Sequence, residues 1–321
     1  MTLRFLLLLL IMPYFCATQS AKDSSGVLIR LSQEDLRALA TQTTEPIYPP
    51  LAKVAWVHGK VSVEVVVDED GRVISANSKS GHPLLRSAAE TAASCWTFCP
   101  AVARSRPAKV TGILVFKFQI KDSEIEEIKA RLKDDPKDTH RYSELAHAYV
   151  TQERYDEAIA LYEQAISSDP AGSEWHYDLG QVYLEMGRYE EASEELRKSA
   201  ALDPVSSSAW WDLGTAEEKA GHYESAIQAY QESIRSSEDP EVMYGLGKLY
   251  NRVGRHDQAL EVLEKAAEFT DIWEELHYEL GLAYIQADHR KKAQHEYERL
   301  KELGSPLAEE LLGSMPRTGN E

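Results

Sequence analysis

The stretch SEWHYDLGQVYLEMGRYEEASEELRKSAALDP, residues 173–204, decides the fold. Leu179, Gly180 and Tyr183 fall on one face of a first helix, spaced for burial against a neighbour. Gly187 follows where a helix C-cap needs a left-handed residue. Ala192 and Leu196 then mark a second helix, and Pro204 its exit. Outward from this hairpin the same pattern returns. The pair Leu-Ala or Leu-Gly recurs at Leu145, Leu179, Leu213, Leu246 and Leu280, in steps of 34, 34, 33 and 34 residues. Thirteen residues after each leucine comes Ala158, Ala192, Ala226, Ala259 or Ala293, where the second helix crosses the first and a larger side chain would hold the backbones apart.

Five phased copies resemble the tetratricopeptide repeat family, whose period is about 34 residues. The spacing predicts repeats at 139–172, 173–206, 207–239, 240–273 and 274–307. Repeat 3 departs from the pattern in carrying Glu217 where the others have tyrosine, and repeat 4 lacks the terminal proline. Pro136 stands before the array as Pro170 and Pro204 stand within it, so Ile125, Ile128 and Leu132 read as a half-repeat helix over 122–138. Pro306 to Met315 is expected to form a short closing helix within a C-terminal cap and tail at 308–321, with Leu307, Leu311 and Leu312 to bury.

In that family first helices line a concave face, and the fifth position of each repeat points into it. Those positions hold Ser143, Tyr177, Trp211, Tyr244 and Tyr278. Four consecutive aromatics make a stripe suited to an extended peptide or a partner helix. The competing reading is half-buried packing between neighbouring hairpins. Ser143, His147, Tyr177 and Gln181 stand where some family members carry a carboxylate-gripping Lys and Asn, so that clamp is not expected.

Residues 44–121 read differently. Val61, Val63, Val65 and Val67 alternate with a second face, Asp68-Glu69-Asp70-Gly71 makes a turn, and Val73 starts the returning strand. Pro83 opens a helix whose apolar stripe is expected at Leu84, Ala88, Ala92 and Cys95 or Trp96, and a last strand runs from Thr111 to Ile120. The order β-β-α-β predicts a small α+β domain ahead of an all-α solenoid. Tyr48-Pro49, Gly59-Lys60-Val61, Gly71-Arg72-Val73, Ser80-Gly81-His82-Pro83-Leu84, Trp96-Thr97-Phe98-Cys99-Pro100-Ala101 and Phe116-Lys117-Phe118 resemble the C-terminal domain of TonB-family energy transducers. The resemblance implies docking by strand addition, with the last strand, carrying Leu114, Phe116 and Phe118, as the docking edge. The alternative is that this strand simply completes the sheet. The spanning anchor and long Pro-rich spacer of a transducer are not found here, so a reused docking domain is expected.

Arg4, the apolar run Phe5 to Phe15 and the small residues beyond it have the layout of a secretory signal peptide over 1–21, followed by a linker with a short helix over 22–43. An uncleaved anchor and a lipidated Cys16 are the competing readings. The expected location is therefore the periplasm of a Gram-negative-type envelope, or the exterior. Cys95 and Cys99 are then thiols in an oxidising compartment. Four residues apart on one helix they are too distant for a relaxed bridge, but Pro100 suggests the helix ends first, which leaves a disulfide and two buried free thiols as alternatives.

The formal charge of −18 is uneven: residues 123–321 hold 21 Lys+Arg against 43 Asp+Glu, a net of −22. Such a surface repels nucleic acid and anionic membranes. Phosphate loops, serine elbows and metal-spaced His/Glu clusters are not found, so neither an enzyme nor a cofactor, metal or small-molecule substrate is expected. The expected function is an envelope adaptor with protein partners, including outer-membrane proteins. An accessory of TonB-dependent outer-membrane transport and a chaperone-like holdase are the rival readings.

Overall fold

A computed structural model describes residues 28–103, 106–135, 138–270 and 272–315. The expected signal peptide, Cys16, Pro136 and the tail from residue 316 lie outside the described residues. The chain divides into two compact units, Met1–Phe118 and Gln119–Glu321.

The first unit runs β1 (Leu28–Arg30), α1 (Gln33–Ala38), β2 (Ala40–Gln42), α2 (Pro50–Val54), β3 (Gly59–Val67), β4 (Val73–Ser80), α3 (Pro83–Ser94), β5 (Thr97–Phe98), β6 (Ala101–Ala103) and β7 (Arg106–Phe118). The order in the main sheet is β1-β7-β3-β4, with β6 also pairing β7, while β2 and β5 pair separately. The β3–β4 hairpin follows from its residues. Val61, Val63, Val65 and Val67 are all fully buried, each worth about 1.5–3 kcal/mol relative to exposure. At the turn, Asp68 Oδ1 accepts from the backbone N–H of Asp70 (3.0 Å) and Arg72 (2.8 Å). Gly71 has φ +84°, and a Cβ there would lie 1.9 Å from the carbonyl oxygen of Phe98, so no other residue fits.

Two expectations change here. The stretch read as a linker contributes β1, α1 and β2: β1 pairs in parallel with β7, and Leu36 of α1 is buried in the core beside Gly112. Ser32 caps α1 by accepting from the Asp35 N–H at 3.1 Å. In α3 the buried stripe is Leu85, Ala89, Ala92 and Ala93, while Leu84 is 37% exposed. The helix is turned by one residue from the expected phase, because alanines flank the stripe on both sides and leave packing to choose. Trp96 anchors the helix end, buried against Phe116 and donating Nε1–H to the Thr44 carbonyl at 2.9 Å.

The second unit is helical: α4 (Asp122–Asp134), then the hairpins α5 (Thr139–Thr151) with α6 (Tyr155–Ser168), α7 (Ser173–Glu185) with α8 (Tyr189–Leu202), α9 (Ser207–Ala220) with α10 (Tyr223–Ser236), α11 (Pro240–Arg252) with α12 (His256–Ala267), and α13 (Glu274–Gln286) with α14 (Arg290–Glu302). A final helix, α15 (Leu307–Ser314), follows. The five phased leucines and five crossing alanines are all buried. The hairpin turns take a left-handed residue each time: Gly187, Gly221 and Gly254 do so freely, whereas Glu153 (φ 63°) and Asp288 (φ 57°) do so under strain.

Repeat 3 solves its missing tyrosine with charge. Glu217, 1% exposed, fills the ring's place and is held by the Arg197 guanidinium and by His222 Nδ1 at 2.9 Å. At the end of the array α15 buries Ala308 and Leu311 but leaves Leu312 exposed. A Cβ added at Gly281 would meet Leu311 at 2.5 Å, whereas at Gly180, Gly214 and Gly247 it would meet the hairpin's own second helix.

Candidate functional site

The first helices bring their fifth-position residues into one row, and each residue of the row reaches for the next repeat. Ser143 Oγ donates to Asp178 Oδ2 at 3.1 Å. Tyr177 donates its hydroxyl proton to Asp212 Oδ2 at 2.8 Å, and Gln181 Nε2 donates to the same oxygen at 2.5 Å. Trp211 lies on Gly245, where an added Cβ would be 2.9 Å from the indole, and stacks on Tyr230 with centroids 5.1 Å apart. Tyr244 packs on Trp273 at 4.7 Å. Tyr278 joins Leu282 and Ile285 against Ala308 and Leu311 of α15. All four aromatics are half-buried, so the expected stripe exists and also forms the repeat junctions.

Sequence reasoning missed the residues that receive this row. Asp178, Asp212 and Glu279 occupy the sixth position of repeats 2, 3 and 5, and Gly245 that of repeat 4. Asp178 and Asp212 stand 34 residues apart, so the repeat spacing carried the signal. Burial, outweighing the bonds from Tyr177 and Gln181, pushes the Asp212 carboxyl up to about 6. Burial also raises Glu279, against the Asn251 amide donating to it at 3.0 Å. The Tyr244 hydroxyl is pushed up to about 12 by burial and then by the charges of Glu279 and Glu275. The Tyr177 hydroxyl is raised for the same kinds of reason, with Asp212 its main charged neighbour. The row is thus a line of rings bordered by carboxylates.

In the first unit the expected docking residues must be corrected. Leu114, Phe116 and Phe118 are buried in the core under α3. Side chains of a strand leave it perpendicular to the sheet, while strand addition uses backbone groups at the edge. These three therefore hold the fold and are closed to a partner. The edge itself is different: β1 pairs β7 only at Lys109, Val110 and Thr111, and among the described residues no strand lies outside β7 beyond that point. There Arg37 Nη2 donates to the Val115 carbonyl at 2.6 Å. On the opposite margin β4 pairs only β3.

Cys95 and Cys99 are both free and both exposed, so the structure holds neither the bridge nor the buried pair. Cys95 caps α3 while Cys99 lies beyond β5, its N–H donating to the Leu39 carbonyl at 2.7 Å. No group of three metal-binding side chains occurs among the described residues, and no described helix is long and apolar enough to cross a membrane.

Comparison with known proteins gives the array its class. The family model described as the cilia and flagella-associated protein 70 C-terminal domain matches residues 37–312. Among solved structures, the chain is similar to YrrB, described as a TPR protein with an unusual peptide-binding site, at 21% identity and a TM-score of 0.53, covering 59% of this chain and 99% of that one. It is also similar to MamA (28% identity, TM-score 0.48, covering 50% and 94%) and to Pseudomonas aeruginosa PilF (20%, 0.49, covering 60% and 90%). No curated protein sequence matches. The second unit is a tetratricopeptide-repeat array.

Proposed function

This chain belongs to the cilia and flagella-associated protein 70 C-terminal domain family, and from that premise we propose that it is a protein-binding adaptor. The repeat array holds one partner on its first-helix face, and the small α+β unit docks another. The observation that carries the reading is the row Tyr177, Trp211, Tyr244 and Tyr278, aligned on one helix set and half-exposed although each also serves a repeat junction. Rigid aromatic surface of this kind is what protein interfaces use as anchors. YrrB, of the same fold, is described as peptide-binding, which agrees in kind.

For the first unit the supporting feature is the backbone of β7 beyond Thr111, which offers unpaired groups for an added strand. Together with the TonB-like residue pattern this favours docking to an envelope protein. It also keeps TonB-dependent transport as the second reading. The leader-like residues Phe5 to Phe15 place the adaptor in the periplasm on this proposal.

The test is capture from envelope fractions with the full chain and with a Trp211→Ala/Tyr244→Ala variant of unchanged helicity. Loss of a discrete partner supports the first-helix face, and an unchanged set of partners sinks it. Recovery of outer-membrane receptors would favour the transport reading, and recovery of many unfolded proteins a holdase. N-terminal sequencing of the exported protein checks the leader: an intact Met1 or Thr2 in the membrane fraction overturns the periplasmic assignment.

A further inference from the structure

We propose that the first-helix face across repeats 3 to 5 takes a cationic segment, an extended stretch of another protein whose Lys or Arg side chains lie over Trp211 and Tyr244. The inference rests on the reading of that face as a docking surface and adds the chemistry of what docks.

Three observations carry it. The first is the pairing of rings with carboxylates. Glu241, Tyr244 and Lys248 recur at helical spacing on α11, and Glu275 and Glu279 recur likewise on α13. Glu241 and Glu275 are exposed, Glu279 is half-buried, and the charges of Glu275 and Glu279 both reach the Tyr244 hydroxyl. A ring face beside carboxylates attracts a cation twice, through the ring quadrupole and through the ion pair, and repels an anion.

The second observation is that the chain already uses this chemistry on itself. Arg154 lies 4.2 Å over Tyr149, Arg188 4.6 Å over Tyr183, Arg252 4.7 Å over Tyr223 and Lys292 4.9 Å over Tyr284. At Tyr244 the occupant is looser: Lys248 Nζ stands 5.9 Å from the ring centroid and lowers Glu279 only through its charge. Lys248 is thus a stand-in that an incoming cation would displace.

The third is charge complementarity on the larger scale. Residues 123–321 carry 21 Lys+Arg against 43 Asp+Glu, so a basic segment is steered to the array and an acidic one is turned away.

The experiment measures fluorescence anisotropy of labelled peptides alternating Lys with Thr, Glu with Thr, or Gln with Thr, titrated with the full chain at low and moderate salt. The Lys peptide should bind about tenfold or more tightly than the other two. Glu241→Gln/Glu275→Gln and Tyr244→Ala should each weaken it severalfold, and Lys248→Ala should tighten it. A control pair on the second helices, Glu194→Gln/Glu261→Gln, should leave it unchanged.

Binding of the Glu peptide as well as the Lys peptide overturns the inference, as does weakening by Lys248→Ala. Equal weakening by the control pair also overturns it, since that would be attraction to the whole acidic surface. If no peptide binds while partner capture still depends on Trp211 and Tyr244, the docking face stands and its cationic occupant falls. If both fail, both readings fall together.

Discussion

Asp212→Asn tests the repeat junction through its pH dependence. In the folded chain the Asp212 carboxyl accepts from Tyr177 and Gln181, and burial lifts it from 3.8 to about 6. A carboxyl raised on folding holds its proton more firmly in the native state. Its contribution is therefore complete below pH 3.8 and is lost as pH rises through 6. Worked from that shift, the ionised group costs about 3 kcal/mol at pH 7.5 and about 1.6 kcal/mol at pH 5. Asparagine keeps the accepting oxygen and removes the charge, at the loss of about 1 kcal/mol in charge-assisted bonding. The variant should thus gain about 1.4 kcal/mol on the wild type between pH 5 and pH 7.5, and be the more stable of the two at pH 7.5. Urea unfolding followed by circular dichroism at both pH values gives this double difference, in which the other titrating groups cancel. A gap between the two proteins that does not change with pH, or that grows toward pH 5, would refute the reasoning.

Four further outcomes follow from packing. Gly245→Ala places a methyl 2.9 Å from Trp211 and should cost about 1–3 kcal/mol by thermal unfolding, a cost that Trp211→Ala relieves when the two are combined. Glu217→Ala strands the Arg197 guanidinium beside a void and should cost about 3–5 kcal/mol, more than Glu217→Gln measured alongside. Leu114→Ala opens a cavity in the sheet core and should destabilise the chain by about 2–5 kcal/mol, and any partner lost with it should return on refolding at low temperature. Glu153→Gly relieves a left-handed residue, with an expected gain of up to about 1 kcal/mol in chemical denaturation.

The repeat array was readable because a tetratricopeptide hairpin repeats its demands. Leu179 and Ala192 are each one of five residues doing the same thing, and five copies outvote local ambiguity. Where a feature occurs once, the sequence constrained it less. The α3 stripe was misphased by a residue because Ala88, Ala89, Ala92 and Ala93 permit two faces, and only the sheet selects Leu85 over Leu84. The alternation of Leu114, Phe116 and Phe118 announced a buried face correctly, but a docking edge is a property of backbone hydrogen bonds. Which side of β7 stays unpaired depends on Leu28–Arg30, far away in sequence. In the candidate site the aromatic row was legible and its receivers were not, because Asp178 and Asp212 look like ordinary surface acids until a tyrosine or serine from the preceding repeat is seen to reach them.

Those receivers also explain how an array of like repeats keeps its parts distinct. Each junction has its own chemistry: serine on aspartate, tyrosine and glutamine on aspartate, indole on glycine, tyrosine on Trp273, and tyrosine on the α15 leucines. Exchanging neighbours would fail locally, since Trp211 facing Asp212 in place of Gly245 would clash, and Tyr177 facing Gly245 would leave its hydroxyl without a receiver. The row that faces a partner is therefore the row that sets the order of the repeats. A partner that contacts it reads rings whose positions are fixed by the array's own assembly, which lowers the ordering cost of binding. The same coupling predicts that Tyr177→Phe, which removes only the hydroxyl donated to Asp212, lowers the stability of the array by about 1 kcal/mol. It should also loosen partner binding at Trp211 one repeat away. Stability loss with unaltered affinity would separate the two roles and show that the row serves packing alone.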